Sequence, residues 1–144
     1  MDIITQVLNR RHFLHYFCHV VLSAVLGWLA FVFLDSEDTF STSPSFRAMA
    51  KAMTEEHWGW FTGISAVIGV STVLTDSWKA RSFGAATLAA AHLVIAVEIY
   101  IGNPNGTGTG AYAGYAFLGA ALAYSTAHLG SRNKKDLATP DPPG

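Results

Sequence analysis

Charge is what this sequence has least of. Only 13% of its 144 residues are Asp, Glu, Lys or Arg, about half the share of an average soluble domain, which is about 25%. A soluble helical bundle is excluded on that ground, because its helices would need polar outer faces. Cysteine is nearly absent as well. The lone Cys18 allows no intrachain disulfide and says nothing about redox compartment. No Ser/His/Asp, Cys/His or paired-carboxylate arrangement stands out, so the sequence predicts no enzyme. The formal net charge is −1, and nucleic acid is not an expected partner.

What the chain has in quantity is apolar sequence in long blocks. Residues 13–34 read FLHYFCHVVLSAVLGWLAFVFL without a single charged side chain. Residues 58–75, 83–101 and 111–129 are similar, broken only by Glu98. A helix needs roughly 20 apolar residues to cross a hydrocarbon core of about 30 Å. In lipid every backbone amide must be bonded within the protein, so such blocks should be helical. The expected fold is all-α, a four-helix transmembrane bundle with spans at 13–34, 58–75, 83–101 and 111–129. Residues 1–12 form a short cytoplasmic segment and 35–57 an outer loop. The tail 131–144, with three prolines, is expected to be disordered.

Orientation follows from where the basic residues fall. Arg10, Arg11, Lys79, Arg81, Arg132, Lys134 and Lys135 lie on one predicted side, against Arg47 and Lys51 on the other. The positive-inside rule places both termini and the second loop in the cytoplasm. The expected location is the bacterial inner membrane. Asn9-Arg10-Arg11 resembles a twin-arginine export motif. With three further spans behind it, the pair is read as an inside anchor.

The outer loop has its own pattern. Ser43 is placed to cap a helix with Pro44 at its first position, where a missing N–H costs nothing. Phe46, Met49 and Met53 then recur at helical spacing, with Arg47, Lys51 and Glu55 opposite. This predicts a short amphipathic helix lying in the outer interface, followed by Trp58 and Trp60 at headgroup level. Asn103-Pro104 and Asn105-Gly106 predict a tight turn between the last two spans.

Small residues mark where helices approach. Gly59 and Gly63, Ala85 and Ala89, and Gly110 and Gly114 each sit four apart, so they share a helical face and permit close packing. That packing serves either the bundle itself or a homo-oligomer.

The polar residues inside the spans carry the remaining functional signal. His15 and His19 share a face of span one, His92 is mid-span, and His128 is at the inner end of span four. Facing histidines in a membrane bundle hold b-type haem, and His with Cys can bind metal. The simpler reading is that these residues hydrogen-bond across helices or sit at the interface, so no cofactor or metal is expected. Glu98 is either an ion or proton ligand or a neutral interface side chain. Gly106 to Gly110 reads as a hairpin rather than an anion nest.

The order of several short features resembles a loose group of small four-span membrane proteins encoded by bacteriophages and prophages. The features are Ser43-Pro44-Ser45-Phe46-Arg47 before the outer helix, His57-Trp58-Gly59-Trp60 opening span two, and Gly69 mid-span. Lys79 and Arg81 enter span three, and Gly106-Thr107-Gly108 with Tyr112 opens span four. The resemblance implies phage origin and roles in lysis or host exclusion. It supplies no catalytic residues. The expectation is a holin-like membrane permeabiliser, with the lipid bilayer, further copies of itself and a phage or host membrane protein as partners. A superinfection-exclusion or scaffold protein acting through the outer loop is the alternative, and a haem or metal redox protein the third.

Overall fold

The computed structural model describes residues 3–35 and 39–138, with side chains described from 13 onward to 131. Helix α1 runs Ile3–Asp35, α2 Thr39–Thr42, a single 3₁₀ turn Pro44–Phe46, α3 Arg47–Ala52, α4 Glu55–Val73, α5 Trp78–Gly102 and α6 Gly108–Ala138. Among the described residues there is no strand, so the fold is all-helical. The long helices pack in sequence, α1 on α4, α4 on α5 and α5 on α6, and α6 returns to α1.

Two of these helices are long and apolar enough to cross a membrane: Phe13–Asp35, with mean hydropathy 2.3, and Trp78–Gly102, with 1.7. Helices α4 and α6 are diluted by Gly, Ser, Thr and Tyr and do not meet the same criterion among the described residues.

Three of the four expected spans lie within a longer helix, and the second, 58–75, runs two residues past the end of α4 at Val73. Polar caps account for two of the early starts. Thr54 has extended backbone and accepts a bond from the His57 N–H, with Glu55 and Glu56 in the first turn of α4, where the helix dipole favours acids. Ser77 accepts likewise from the Ala80 N–H and starts α5 before its apolar block. At the N-terminus, residues 3–12 are helical and form the beginning of α1. At the C-terminus, the assignment of 131–144 to a disordered tail is corrected for residues 131–138, which continue α6. No proline falls between Pro104 and Pro140, so none interrupts α6, and the residues after Ala138 lie outside the described ones.

Glycines set the helix spacings. A Cβ on Gly59 would stand 2.6 Å from Leu34 Cγ, and one on Gly63 3.3 Å from Ala30 Cβ, so this pair seats α4 against α1. Ala85 is fully buried. The face carrying Ala89 meets α6 at Gly119, where an added Cβ would come within 3.0 Å of Ala89 Cα. Gly110 and Gly114 behave differently. Nothing lies within 4 Å of a Cβ at either position, so they take no part in packing within the chain.

The bundle has an apolar core around Leu22, Leu26, Leu88 and Ile95, with polar side chains buried among it, and its outer surface is also apolar. His19, Ser23, Thr62, Ser65, Thr72 and His92 are buried, while Trp28, Phe31, Val67, Phe83, Ile101, Phe117 and Tyr124 stand exposed around the four long helices. Several buried hydroxyls bond to their own helix: Thr62 donates to the Trp58 carbonyl at 2.9 Å and Ser65 to the Phe61 carbonyl at 2.8 Å. Ser82 instead crosses from α5 to the Ala123 carbonyl of α6 at 2.9 Å.

Candidate functional site

At one end, where α1 stops and α4 starts, the short helices close over the bundle. The Phe33 ring meets Phe40 at 5.3 Å and Phe46 at 5.6 Å between centroids, both edge to face. Such pairs contribute about 0.5–1.5 kcal/mol beyond the area they bury. Buried Trp58 donates its indole N–H to the Met49 carbonyl at 2.9 Å. The C-terminal end of α5 reaches close beneath this layer, since a Cβ on Gly102 would stand 2.9 Å from the Ser45 carbonyl oxygen.

This arrangement changes the reading of residues 44–53. They form a 3₁₀ turn and then α3, with Ser43 at the N-cap position but no side-chain cap bond. The apolar face of Phe46, Met49 and Met53 does not lie together on an outer interface. Met49 is fully buried in the protein core, Phe46 packs against that core, and Met53 is exposed. An apolar stripe on a short helix satisfies itself equally on lipid or on protein, and here the Phe33, Phe40 and Trp58 rings supply the protein surface. Trp58 is likewise buried, whereas Trp60 is exposed.

The opposite end holds a cavity of about 260 Å³. Its wall brings together His15, Tyr16 and His19 of α1, Asp76 and Trp78 around the α4–α5 turn, Arg81 of α5, and Thr126, Leu129 and Gly130 of α6. Trp78 packs directly over Gly130, where a side chain would collide with the indole. Arg81 is fixed twice: its Nε–H donates to the Thr75 carbonyl at 2.8 Å, and its guanidinium lies 5.5 Å from the Tyr16 ring centroid. Lys79 sits over the Trp78 ring at 5.9 Å. Among the described residues, buried His19 has no partner for Nδ1.

The four histidines therefore fall into three places. His15 and His19 share the cavity. His92 is fully buried between α5 and α6, with Nδ1 2.8 Å from the Leu88 carbonyl and its ring 6.2 Å from Tyr112 and 5.3 Å from Tyr115. His128 is exposed and stacked on Tyr124 at 5.9 Å. His19 and His128 do not face one another within the chain, because His128 lies on the outer surface of α6 rather than in the cavity wall. No cluster of three or more His, Cys, Asp or Glu suited to a metal occurs among the described residues.

Glu98 is half-buried on α5, and among the described residues it has no ion-pair partner. Arg47, Lys51 and His57 are exposed and do not meet it. Gly108 to Gly110 form the first turn of α6, and no glycine among the described residues has positive φ, so the Gly-Thr-Gly run does not fold as an anion nest. The turn itself closes as expected, with the Gly106 N–H bonded to the Asn103 carbonyl at 2.9 Å.

Sequence reading missed Arg81, Asp76 and Trp78 as parts of one site. Their only early signal was the i, i+4 spacing of His15 and His19, which said that two polar side chains share a helix face but not what they face. Comparison with known protein families, curated proteins and solved structures finds no match.

Proposed function

We propose that the chain is a non-enzymatic integral membrane protein of phage type, in which α1, α4, α5 and α6 all cross the bacterial inner membrane. Both termini and the α4–α5 turn face the cytoplasm in this reading. The observation that carries it is the inverted surface: Phe117 is 77% exposed and Leu74 84%, while His92 is fully buried. In water that distribution would leave a large apolar patch uncovered. In lipid it is the favourable one, since polar side chains there turn inward. The basic residues support the orientation, being concentrated at the α4–α5 turn and near both termini.

The activity this reading supports best is holin-like permeabilisation by self-association. Gly110 and Gly114 open a strip of α6 that nothing in the chain covers, and Phe117, Tyr124 and His128 continue along it at helical spacing. Small residues on a membrane helix favour close approach of another helix. Controlled expression in cells carrying a potential-sensitive dye is the test. The expected result is collapse of the membrane potential, delayed or abolished by Gly114→Leu. Full potential after membrane insertion of the wild-type protein would contradict the permeabilising role.

A second reading, exclusion or scaffolding through the outer segment, is supported by the way residues 39–53 fold onto the bundle end. That packing gives α3 a fixed surface, with Arg47 and Lys51 exposed. Under this reading phage challenge is resisted while the potential stays intact.

A further inference from the structure

The cavity formed by α1, α5 and α6 contains two opposite charges that do not meet. Arg81 and Asp76 both line it, yet among the described residues no ion pair joins them. Arg81 has its Nε–H engaged by the Thr75 carbonyl, which leaves the two terminal amino groups of the guanidinium for another acceptor. That fork is well matched to phosphate oxygens. His19 walls the same space and is 2% exposed; its ring reaches the Gly69 backbone, and among the described residues Nδ1 has no geometrically formed hydrogen bond. A buried polar atom of this kind is costly unless something bonds to it.

From this geometry we infer that the cavity binds a zwitterionic phosphoester of the phosphoethanolamine type. The phosphate lies against Arg81 and His19 and the primary ammonium against Asp76. A simple anion would satisfy the guanidinium but would face the Asp76 carboxylate. A ligand with both charges satisfies both walls. Asp76 and Trp78 flank Ser77, the N-cap of α5, so the positive end of that helix adds to the attraction for phosphate.

The space is adequate. About 260 Å³ is roughly eight to nine times the volume share of one water, about 30 Å³. The hollow is also continuous with the apolar flank, because Tyr16 and Leu129 line it and are themselves exposed. The ligand chemistry has two sources, the headgroup of phosphatidylethanolamine or a soluble phosphoethanolamine ester. Only the first depends on the membrane reading above.

The test uses purified full-length protein in a neutral detergent, followed by tryptophan fluorescence, since Trp78 is part of the wall. Short-chain phosphatidylethanolamine is titrated in one arm and soluble glycerophosphoethanolamine in another. Phosphatidylglycerol and phosphatidylcholine of the same chain length serve as comparators. A saturable response is expected for the ethanolamine compound, with about tenfold or weaker affinity for phosphatidylglycerol and phosphatidylcholine. Arg81→Gln and Asp76→Asn should each weaken ethanolamine binding by about tenfold, the size expected for one charge-assisted contact. Asp76→Asn should in addition erase the preference over phosphatidylglycerol, and this exposed position puts the fold at little risk. Binding of the diacyl compound alone assigns the site to lipid, and equal binding of the glycerol ester assigns it to the soluble form. The inference is overturned if neither ethanolamine compound gives saturation, if phosphatidylglycerol binds as well as phosphatidylethanolamine to the wild type, or if both substitutions leave the titration unchanged. None of these results depends on whether the protein permeabilises membranes.

Discussion

Where α1 ends and α4 begins, Phe33, Phe40, Phe46, Trp58 and Met49 fill the space between helices and the short segments that cover them. At the far end the same helices diverge around a hollow walled by His19, Arg81 and Asp76. The difference is one of side-chain chemistry rather than of helix geometry. Aromatic rings and a methionine fill the first end by dispersion contacts and one indole hydrogen bond. At the second end Arg81 is held by the Thr75 carbonyl and the Tyr16 ring rather than by Asp76, and the space between them stays open. One end is therefore made for stability, and the other has room for a ligand.

The strongest way to break this comparison is to put charge into the closed end. Met49 is fully buried, so Met49→Asp places a carboxylate where no partner waits. The expected loss is on the order of 4 kcal/mol or more, read as a large fall in the thermal unfolding midpoint in detergent. Met53→Asp, at an exposed position of the same segment, should cost no more than about 0.5 kcal/mol. Asp76→Asn at the hollow end should be equally mild. If Asp76→Asn destabilised the protein as much as Met49→Asp, the division of labour between the ends would fail.

A smaller effect sharpens the account along the length of the bundle, on the two sides of α6. Gly119 faces Ala89 of α5 so closely that a leucine there must push the helices apart, at a cost of about 1–3 kcal/mol. Gly114 has open space around its Cβ position, so Gly114→Leu should leave the unfolding midpoint of the monomer within about 0.5 kcal/mol of wild type. Chemical unfolding of both variants in the same detergent checks the pair. Equal destabilisation would mean that Gly114 already has a neighbour, as it would in a tight oligomer that persists in detergent.

The sequence revealed the long helices because a run such as residues 13–34 can satisfy its backbone and side chains only as an apolar helix. It revealed their ends less well. Thr54 and Ser77 are polar, so a hydropathy reading stops short of them, although capping is what they do. The closed end was half legible. The spacing of Phe46, Met49 and Met53 showed that a face would be covered, but the pattern is the same whether lipid or Trp58 covers it. The choice among small-residue pairs was not legible at all. Gly110 and Gly114 have the spacing of a packing motif, yet Gly119 carries the contact with α5, because rotation of α6 about its axis is set by its neighbours. The hollow was hidden for a related reason. His19, Asp76 and Arg81 come from distant parts of the chain, and no local spacing announces a site that only tertiary packing assembles.

In the proposed topology the two ends of the bundle face opposite sides of a membrane. Single cysteines at Ser41 and Lys79, in a Cys18→Ala background, test this with a membrane-impermeant maleimide applied to the intact inner membrane from its outer side. The cysteine replacing Ser41 should be labelled directly, and the one replacing Lys79 only after the membrane is opened. Labelling of both from the outer side would contradict the proposed topology, and with it the placement of the hollow at the cytoplasmic face.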